Sequence, residues 1–382
     1  MKIILISNYP KDRQESMIRF SEMLLAGFRD AGFEAETWNP VVILGKFFAS
    51  TTMGIGKWMG YIDKWMIFPV LLKLRLLKKK NKHTGDRYYI CDHSNAPYLK
   101  YLPQNRTSIT CHDVLAIRGA LGHADAYCPA SKTGKIFQQW IFKNLQRARL
   151  LAAVSQKTLD QLQELTNGEM GHKEWRVIYN TFNNDFGPID KTLAEKLLHH
   201  LPLQPDTPFL LHVGSDSPRK NRKLLLDMVA LLGSAWDGII CFAGDALEET
   251  LVAHAEKLGL RDRYISVVKP NHKTLQALYC SCAAFVFPSF SEGFGWPLIE
   301  AQACGAPVIA SNIEPMPEIS GGAALYADPA NARAFADALL GLMHQGNRTQ
   351  LIQSGFKNCL RFQPGKIIDN YLNLHGLQRI KL

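Results

Sequence analysis

Ala283-Ala284-Phe285-Val286-Phe287-Pro288-Ser289-Phe290-Ser291-Glu292-Gly293-Phe294-Gly295-Trp296-Pro297-Leu298-Ile299-Glu300 is the stretch from which the rest of the chain can be read. Its first five residues form an uninterrupted apolar run, the pattern of a parallel strand buried on both faces. Pro288 stops the strand. Pro297 suits the first turn of a helix running to about Cys304, with Gly305 just past its end. Such a junction of strand, glycine loop and helix start presents unpaired backbone N–H groups and a positive dipole end to an anion. Gly293 and Gly295 allow close backbone approach, which makes the amides of Gly293, Phe294 and Gly295 candidate ligand contacts. Glu292 stands in the loop and Glu300 roughly one turn into the helix, so both carboxylates can face one pocket. Carboxylates only accept hydrogen bonds, and paired hydroxyls are donors they can hold.

At 382 residues the chain is long enough for two domains. A composition of 47% hydrophobic and 20% charged residues excludes a disordered chain. The net charge of +10 favours an anionic partner such as a nucleotide or a lipid headgroup. No nucleic-acid motif accompanies that charge, and no nucleic-acid partner is expected. Eight cysteines without metal-ligand spacing suggest reduced thiols in the cytoplasm, with Cys280 and Cys282 read as buried helix residues. The apolar start, Met1 to Ser7, is too short for a signal peptide, and no stretch approaches the roughly 20 apolar residues of a membrane span.

Lys2 to Ser7, Glu15 to Ala31 and Phe33 to Trp38 read as the strand–helix–strand opening of a doubly wound α/β domain. No G-x-G-x-x-G follows the first strand, which argues against a dinucleotide-dependent dehydrogenase. The loop there carries Lys11 and Arg13, cations that suit an anionic ligand. Arg87 to Cys91 and Thr107 to Cys111 read as strands ending in Asp92-His93-Ser94 and His112-Asp113, where doubly wound folds bind ligands. Gly119 to Lys135, rich in Gly, Ala, Ser and Lys, reads as a loop. Leu150 to Val154 is a strand, Ser155 caps the helix Gln156 to Leu165, and Arg176 to Tyr179 is a further strand. Asp185 to Pro208 reads as a linker with a short helix.

Phe209 to Val213 opens the second half as a strand. Gly214-Ser215-Asp216-Ser217-Pro218-Arg219-Lys220-Asn221 then leads into a helix at about Arg222, an anion cradle with two cations added. Gly238 to Ala243, Tyr264 to Val268 and Val308 to Ser311 are further strands, and helices are expected at Ala330 to Met343, Arg348 to Cys359 and Lys366 to Arg379. Lys57 to Lys82 mixes Trp58, Tyr61, Trp65, Met66, Ile67 and Phe68 with a basic end, Lys73, Arg75, Lys78, Lys79, Lys80 and Lys82. It suits an interfacial helix on anionic lipid, or equally a core-packed helix with a solvated basic tail; Pro69 divides it into two pieces. Without a D-x-D pair or a His cluster, no metal site is expected, and no cofactor.

The Glu292-to-Glu300 spacing, with Gly-Phe-Gly between and Glu-Ala-x-Ala-Cys-Gly-x-Pro-Val after, resembles the E-x7-E signature of the family 4 retaining GT-B glycosyltransferases, or glycosyl transferases group 1. Thr110-Cys111-His112-Asp113 resembles that family's T-x-H-D, and Gly214 to Asn221 its G-x-x-x-x-R-K-N, with Ser215 where many members have Arg. The resemblance implies two Rossmann-like doubly wound domains facing a central cleft. Residues 1–182 with the C-terminal helix 364–382 would be the acceptor side, and 183–363 the nucleotide-sugar side. Lys11, Arg13 and Asp113 would lie on the acceptor side, with Lys11 and Arg13 meeting an anionic acceptor and the loop Gly119 to Lys135 near it. It further implies a catalytic set of His112, Glu292, Arg219 and Lys220. His112 would lie against the donor sugar, oriented by Asp113, while Arg219, Lys220, Gly214 and Ser215 would hold the diphosphate. Glu292 would contact the sugar, Glu300 the ribose, and Lys269 and Pro270 would border the base. The implied reaction is metal-independent transfer of a hexose, of mannosyl type, with retention of configuration. It would run from a nucleoside diphosphate sugar to a glycan or lipid-linked acceptor, in cell-surface polysaccharide or glycolipid synthesis. The enzyme would work free in the cytoplasm or peripherally on the inner face of the membrane. A GT-B epimerase, a phosphorylase and a non-catalytic nucleotide-sugar-binding protein are the alternatives.

Overall fold

Strands of three to six residues, apolar in the middle of each sheet and more polar at its edges, alternate with helices among the described residues and assemble into two parallel sheets. The computed structural model describes residues 1–79, 85–169, 171–182, 184–204, 207–343 and 345–380. It divides into two units, Met1–Asn183 with Pro364–Leu382, and Asn184–Gln363.

The first unit holds β1 (Lys2–Ile6), β2 (Glu34–Trp38), β3 (Arg87–Ile90), β4 (Thr107–Cys111), β5 (Leu150–Ala153) and β6 (Glu174–Val177) in the order β2-β1-β3-β4-β5-β6. After β2 the chain returns to the other side of β1, so the order reverses between β1 and β3. Ile4, Ile6, Ile90, Ile109 and Leu151 bury one face of this sheet against Phe68, Leu72, Tyr98 and Leu145. The helix Pro364–Leu374 belongs to this unit. Its Ile368 lies so close to Gly27 that any side chain at 27 would collide with it. Tyr89 donates to the Tyr371 carbonyl at 3.2 Å, and His375 Nε2 meets Ser108 Oγ at 2.9 Å.

The second unit holds β7 (Phe209–Gly214), β8 (Ile239–Gly244), β9 (Tyr264–Val268), β10 (Ala284–Phe287), β11 (Val308–Ser311) and β12 (Leu325–Ala327) in the order β12-β11-β10-β7-β8-β9. Here the order reverses between β7 and β10. Its core packs Leu210, Ile240, Val286 and Ile309 against Leu225, Met228 and Phe335. Open α/β sheets bind ligands beyond the C-terminal ends of the strands at such reversals.

The structure corrects several expectations. Residues 119–135 are not one loop: a helix Leu115–Leu121, a short 3₁₀ turn Ala124–Ala126 and a helix Lys132–Leu145 occupy the region. The small residues there serve contacts and caps. Gly119 leaves room for the Cys128 carbonyl, and the Ser131 side chain caps the third element through the Gly134 amide at 3.2 Å. β6 begins two residues earlier than expected, the last helix stops at Leu374, and the three-residue β12 is an element that sequence did not indicate. Cys280 is only half buried.

Pro69 does not break the 54–79 segment. It lies at the second residue of the helix Phe68–Lys79, and the Lys64 carbonyl, five residues before it, accepts instead from the Tyr98 hydroxyl at 2.9 Å. The irregularity comes earlier, as a π turn at Asp63–Ile67 following the helix Gly54–Ile62. Asp63 is fully buried there and accepts from the backbone amides of Ile43 (3.0 Å), Leu44 (2.9 Å) and Gly45 (2.9 Å) and from the Tyr9 hydroxyl (2.6 Å). Of the basic end, Lys80 and Lys82 lie outside the described residues.

Burial pushes the Asp63 carboxyl up, but the Tyr9 hydroxyl and the three amides outweigh it and hold it below the usual carboxylate range. A depressed folded-state pKa stabilises above the unfolded value, and that contribution is lost as pH falls through the folded one. Asp63→Ala is therefore expected to cost about 3 kcal/mol near neutral pH, since it strands four donors. In urea unfolding the gap between wild type and variant should narrow as the pH falls below about 4. A pH-independent gap, or one under about 1 kcal/mol, would contradict this account.

Candidate functional site

In the second unit the reversal between β7 and β10 brings two loops together. The first runs from Gly214 through a 3₁₀ turn at Pro218–Lys220 to Asn221, whose left-handed backbone (φ 54°) opens the helix Arg222–Leu232. The second runs from Pro288 to Gly295, which caps the helix Trp296–Ala303 with φ 95°. Backbone and side chains stitch them. Phe290 N donates to Arg219 O at 2.8 Å, Arg219 NH1 to Ser291 O at 3.0 Å, and Asn221 Nδ2 to Pro288 O at 3.2 Å.

At the seam, Glu292 receives both cations: Lys220 Nζ at 2.7 Å on Oε1 and Arg219 NH1 at 2.6 Å on Oε2. Burial alone would raise the Glu292 carboxyl, but Lys220 and Arg219 overcome it and hold it below the usual range. Glu292 and Lys220 are buried, whereas the Arg219 side chain keeps 25% of its surface exposed. Two cations on one carboxylate leave a net positive charge beside the loop that leads to Gly295, which suits an anion.

The remaining candidates of this unit divide by strand. Glu300 is buried on the helix after the loop and accepts from the Tyr279 hydroxyl at 3.0 Å, which orients its carboxylate. Gly214 and Ser215 lie at the end of β7, beside Lys220. Gly293 and Gly295 stay in the loop, and the Phe294 ring turns inward onto Trp296 (6.0 Å) and Phe362 (5.7 Å). Lys269 and Pro270 follow edge strand β9, two strands away from β7, with Lys269 exposed.

His212 was not singled out from sequence. It interrupts the apolar run of β7, fully buried, with Nδ1 3.2 Å from the Val286 carbonyl. Because that carbonyl can only accept, Nδ1 carries the proton and Nε2 is left an acceptor. Among the described residues Nε2 has no partner, and it points towards the Gly214 position. Burial drives its pKa down to about 3, so the ring is neutral. Arg222, also unremarked, clamps the ends of β7 and β8 through the carbonyls of Gly214 (2.7 Å), Asp245 (3.1 Å) and Ala246 (3.1 Å).

In the first unit His112 follows β4. Its Nε2 lies 2.9 Å from the Cys91 carbonyl, and Phe20 meets its ring edge-on at 4.5 Å. Burial lowers its pKa more than nearby Asp92 raises it. Asp113, the next residue, accepts from the Leu115 amide at 3.0 Å, just before the following helix, and its charge acts on the imidazole. Asp92 holds the end of β3 to that of β1, accepting from Asn8 at 2.6 Å and from Ser94 Oγ at 2.8 Å. Lys11 is partly buried in a 3₁₀ turn, and Arg13 is exposed with φ 51°. Among the described residues no group of three His, Cys, Asp or Glu side chains is placed to hold a metal ion.

Residues 195–358, a little under half of the chain, match the sequence model for glycosyl transferases group 1. The chain is 27% identical over 278 residues to the O-antigen chain mannosyltransferase RfbU of Salmonella typhimurium, covering 72% of this chain and 69% of that one. It is 28% identical over 250 residues to O-antigen chain mannosyltransferase B of Escherichia coli, covering 63% and 62%. Among solved structures it superposes on sucrose-phosphate synthase of Thermosynechococcus elongatus with a TM-score of 0.72, at 18% identity and 98% coverage of both chains. It superposes on Anabaena HepE in complex with UDP and glucose with 0.71, at 18% identity, over 98% of each chain. At these identities the structural likeness shows the fold, which is the two-domain Rossmann-like GT-B arrangement. The family model and the relatives support a glycosyltransferase.

The triad makes a stability prediction. Glu292→Gln is expected to cost about 3 kcal/mol, because it leaves Lys220 buried without its counter-charge. Adding Lys220→Met should recover more than half of that loss in chemical denaturation. Additive losses in the double variant would show that the ion pair does not hold the two loops.

Proposed function

We propose that this chain transfers a hexose from a nucleoside diphosphate sugar to a glycan or lipid-linked acceptor in cell-surface polysaccharide or glycolipid synthesis. The sugar is of mannosyl type, configuration is retained, and no metal ion carries the leaving diphosphate. The observation that carries the reading is the Glu292–Lys220–Arg219 cluster at the strand reversal of the second unit. A leaving diphosphate needs fixed positive charge, and side-chain cations with loop amides supply it without reorganising as the bond breaks. The mannosyl assignment rests on the names of the O-antigen relatives.

In the reaction so assigned, the bond between the anomeric carbon and the phosphate oxygen breaks. The acceptor oxygen bonds to that carbon from the same face, and the acceptor proton passes to the departing phosphate. Arg219, Lys220 and the amides of 293–295 stabilise the growing charge. Glu292 binds the sugar hydroxyls while keeping the two cations in place, and Glu300, oriented by Tyr279, holds the ribose. His112, neutral with its Nε2 proton on the Cys91 carbonyl, serves the donor sugar as a hydrogen-bonding group.

A peripheral membrane location is part of the proposal. Met66, Val70, Leu74 and Leu77 are exposed at helical spacing, with Ile55 and Trp58 exposed on the preceding helix and Lys57, Lys73 and Lys78 beside them. No helix among the described residues is long and apolar enough to cross a membrane.

Thermal unfolding in metal-free buffer against UDP, GDP, ADP and their sugar conjugates tests the donor site. One nucleotide at about 100 times its Kd should add about 2.7 kcal/mol. Lys220→Ala should abolish that shift and slow transfer by about 100-fold or more. Stabilisation by none of these nucleotides would sink the reading. For the surface, sedimentation with phosphatidylglycerol vesicles at low salt should bring the protein down, and Trp58→Ser with Leu74→Ser should release it. A supernatant unchanged by vesicles removes the membrane part alone.

A further inference from the structure

The first sheet reverses its order between β1 and β3, and a cavity of about 160 Å³ opens beyond those two strands. Asn8 beyond β1, Ser94 and Asn95 beyond β3 and Gln14 before the helix Glu15–Asp30 line it with polar groups. These bond to one another or to Asp92 and keep further acceptor and donor capacity, and Gln138 adds an amide from the helix Lys132–Leu145. Tyr61 and Trp65 add ring surface. A cavity of this size admits a six-membered ring, since an engineered one of about 150 Å³ holds benzene. Amides and hydroxyls beside aromatic rings suit a ring that carries hydroxyls at its edge and C–H bonds on its faces.

Charge inside the cavity decides which class of ring. Asp12 and Lys64 both line it, joined at 2.7 Å, with side chains only 15% and 12% exposed. The second Asp12 oxygen accepts from Thr51 at 2.9 Å. The Lys64 ammonium also lies 4.9 Å from the Tyr61 ring and 5.6 Å from that of Tyr9. The cation is thus matched from within, and an incoming carboxylate or phosphate would meet Asp12 beside it. Lys11 and Arg13, which the sequence offered to an anionic acceptor, do not line this cavity. A second hollow of about 350 Å³ shares Tyr61 and Phe137 with it and adds Trp58 and Thr133, which extends the aromatic path outward.

We infer that this cavity seats an uncharged saccharide ring of the acceptor, and that the Asp12–Lys64 pair sets the preference for neutral over anionic sugars. The inference rests on the glycosyltransferase reading and adds the acceptor's chemistry to it. Asp12→Asn would leave Lys64 without its counter-charge and turn the seat towards anionic rings.

Fluorine NMR of protein carrying fluorotryptophan reads the cavity directly, with the Trp65 resonance assigned through Trp65→Phe. The probes are methyl glycosides of mannose, glucose, galactose, rhamnose and N-acetylglucosamine, with methyl glucuronoside as the anionic counterpart. At least one neutral glycoside should move the Trp65 line in wild type, with glucuronoside weaker by about tenfold. Asp12→Asn should raise glucuronoside affinity by about tenfold, and Gln138→Ala should weaken the neutral ligand without changing the charge preference. Equal binding of glucuronoside and neutral glycosides in wild type overturns the inference. So does a Trp65 line that no glycoside moves, or one that responds to phosphatidylglycerol vesicles instead. If nucleotides stabilise the protein while no glycoside moves Trp65, the acceptor inference alone fails. If neither ligand acts, the glycosyltransferase reading fails with it.

Discussion

One carboxylate ties the second unit's site together. Glu292, buried between Lys220 and Arg219, joins the loop after β7 to the loop after β10, and these strands come from distant parts of the sequence. A buried ion pair adds little net stability over an apolar substitute, and its attested value lies in fixing one arrangement among several. Here that arrangement holds the starts of two helices, Arg222–Leu232 and Trp296–Ala303, on loops that are bonded to each other. The pair tolerates burial because the two loops also satisfy each other through backbone bonds, from the Phe290 amide and to the Ser291 carbonyl. The electrostatics of the site depend on the loop geometry, and the loop geometry depends on the ion pair.

The two units use the same topological device for different chemistry. Each places polar groups beyond the strands at a reversal of sheet order. In the second unit the groups are cations in excess over a carboxylate, which suits an anion. In the first the charges cancel, with Asp12 on Lys64, and most of the remaining lining is amide, hydroxyl and aromatic. Asn8 and Asp92 fasten the first reversal as Arg222 fastens the ends of β7 and β8. A similar scaffold therefore presents a charged seat in one unit and a neutral one in the other.

Where local chemistry decides structure, the chain was legible. The run to Phe287, Pro288, Gly295 with positive φ and Pro297 within the first helical turn mark a strand, a loop and a helix start from neighbouring residues alone. The illegible parts depend on distant partners. The helix Lys132–Leu145 begins with small and basic residues that resemble a loop, and its apolar spacing at Phe137, Trp140, Ile141 and Leu145 matters only because a core lies beneath. The π turn needs the amides of residues 43–45 to converge on Asp63. Spacing also could not reveal that Glu292 holds Lys220 and Arg219, residues 72 positions apart from it or nearly so. His212 escaped notice because a lone imidazole in an apolar strand looks like a core residue until the partners of its two nitrogens are known.

The return of the helix Pro364–Leu374 to the first unit reorders the timing of biosynthesis. The last strand of that sheet, β6, is complete at Val177, yet the Tyr371 and His375 contacts to Tyr89, Thr110 and Ser108 lie about 200 residues later. At roughly 5–20 residues per second, a ribosome needs on the order of 10–40 s to cover that distance. The chain of the second unit is complete before that of the first, although it is begun second. Until then the nascent first unit lacks the Ile368 and Tyr371 cover beside Gly27 and Phe20, an apolar face of the kind that chaperones bind.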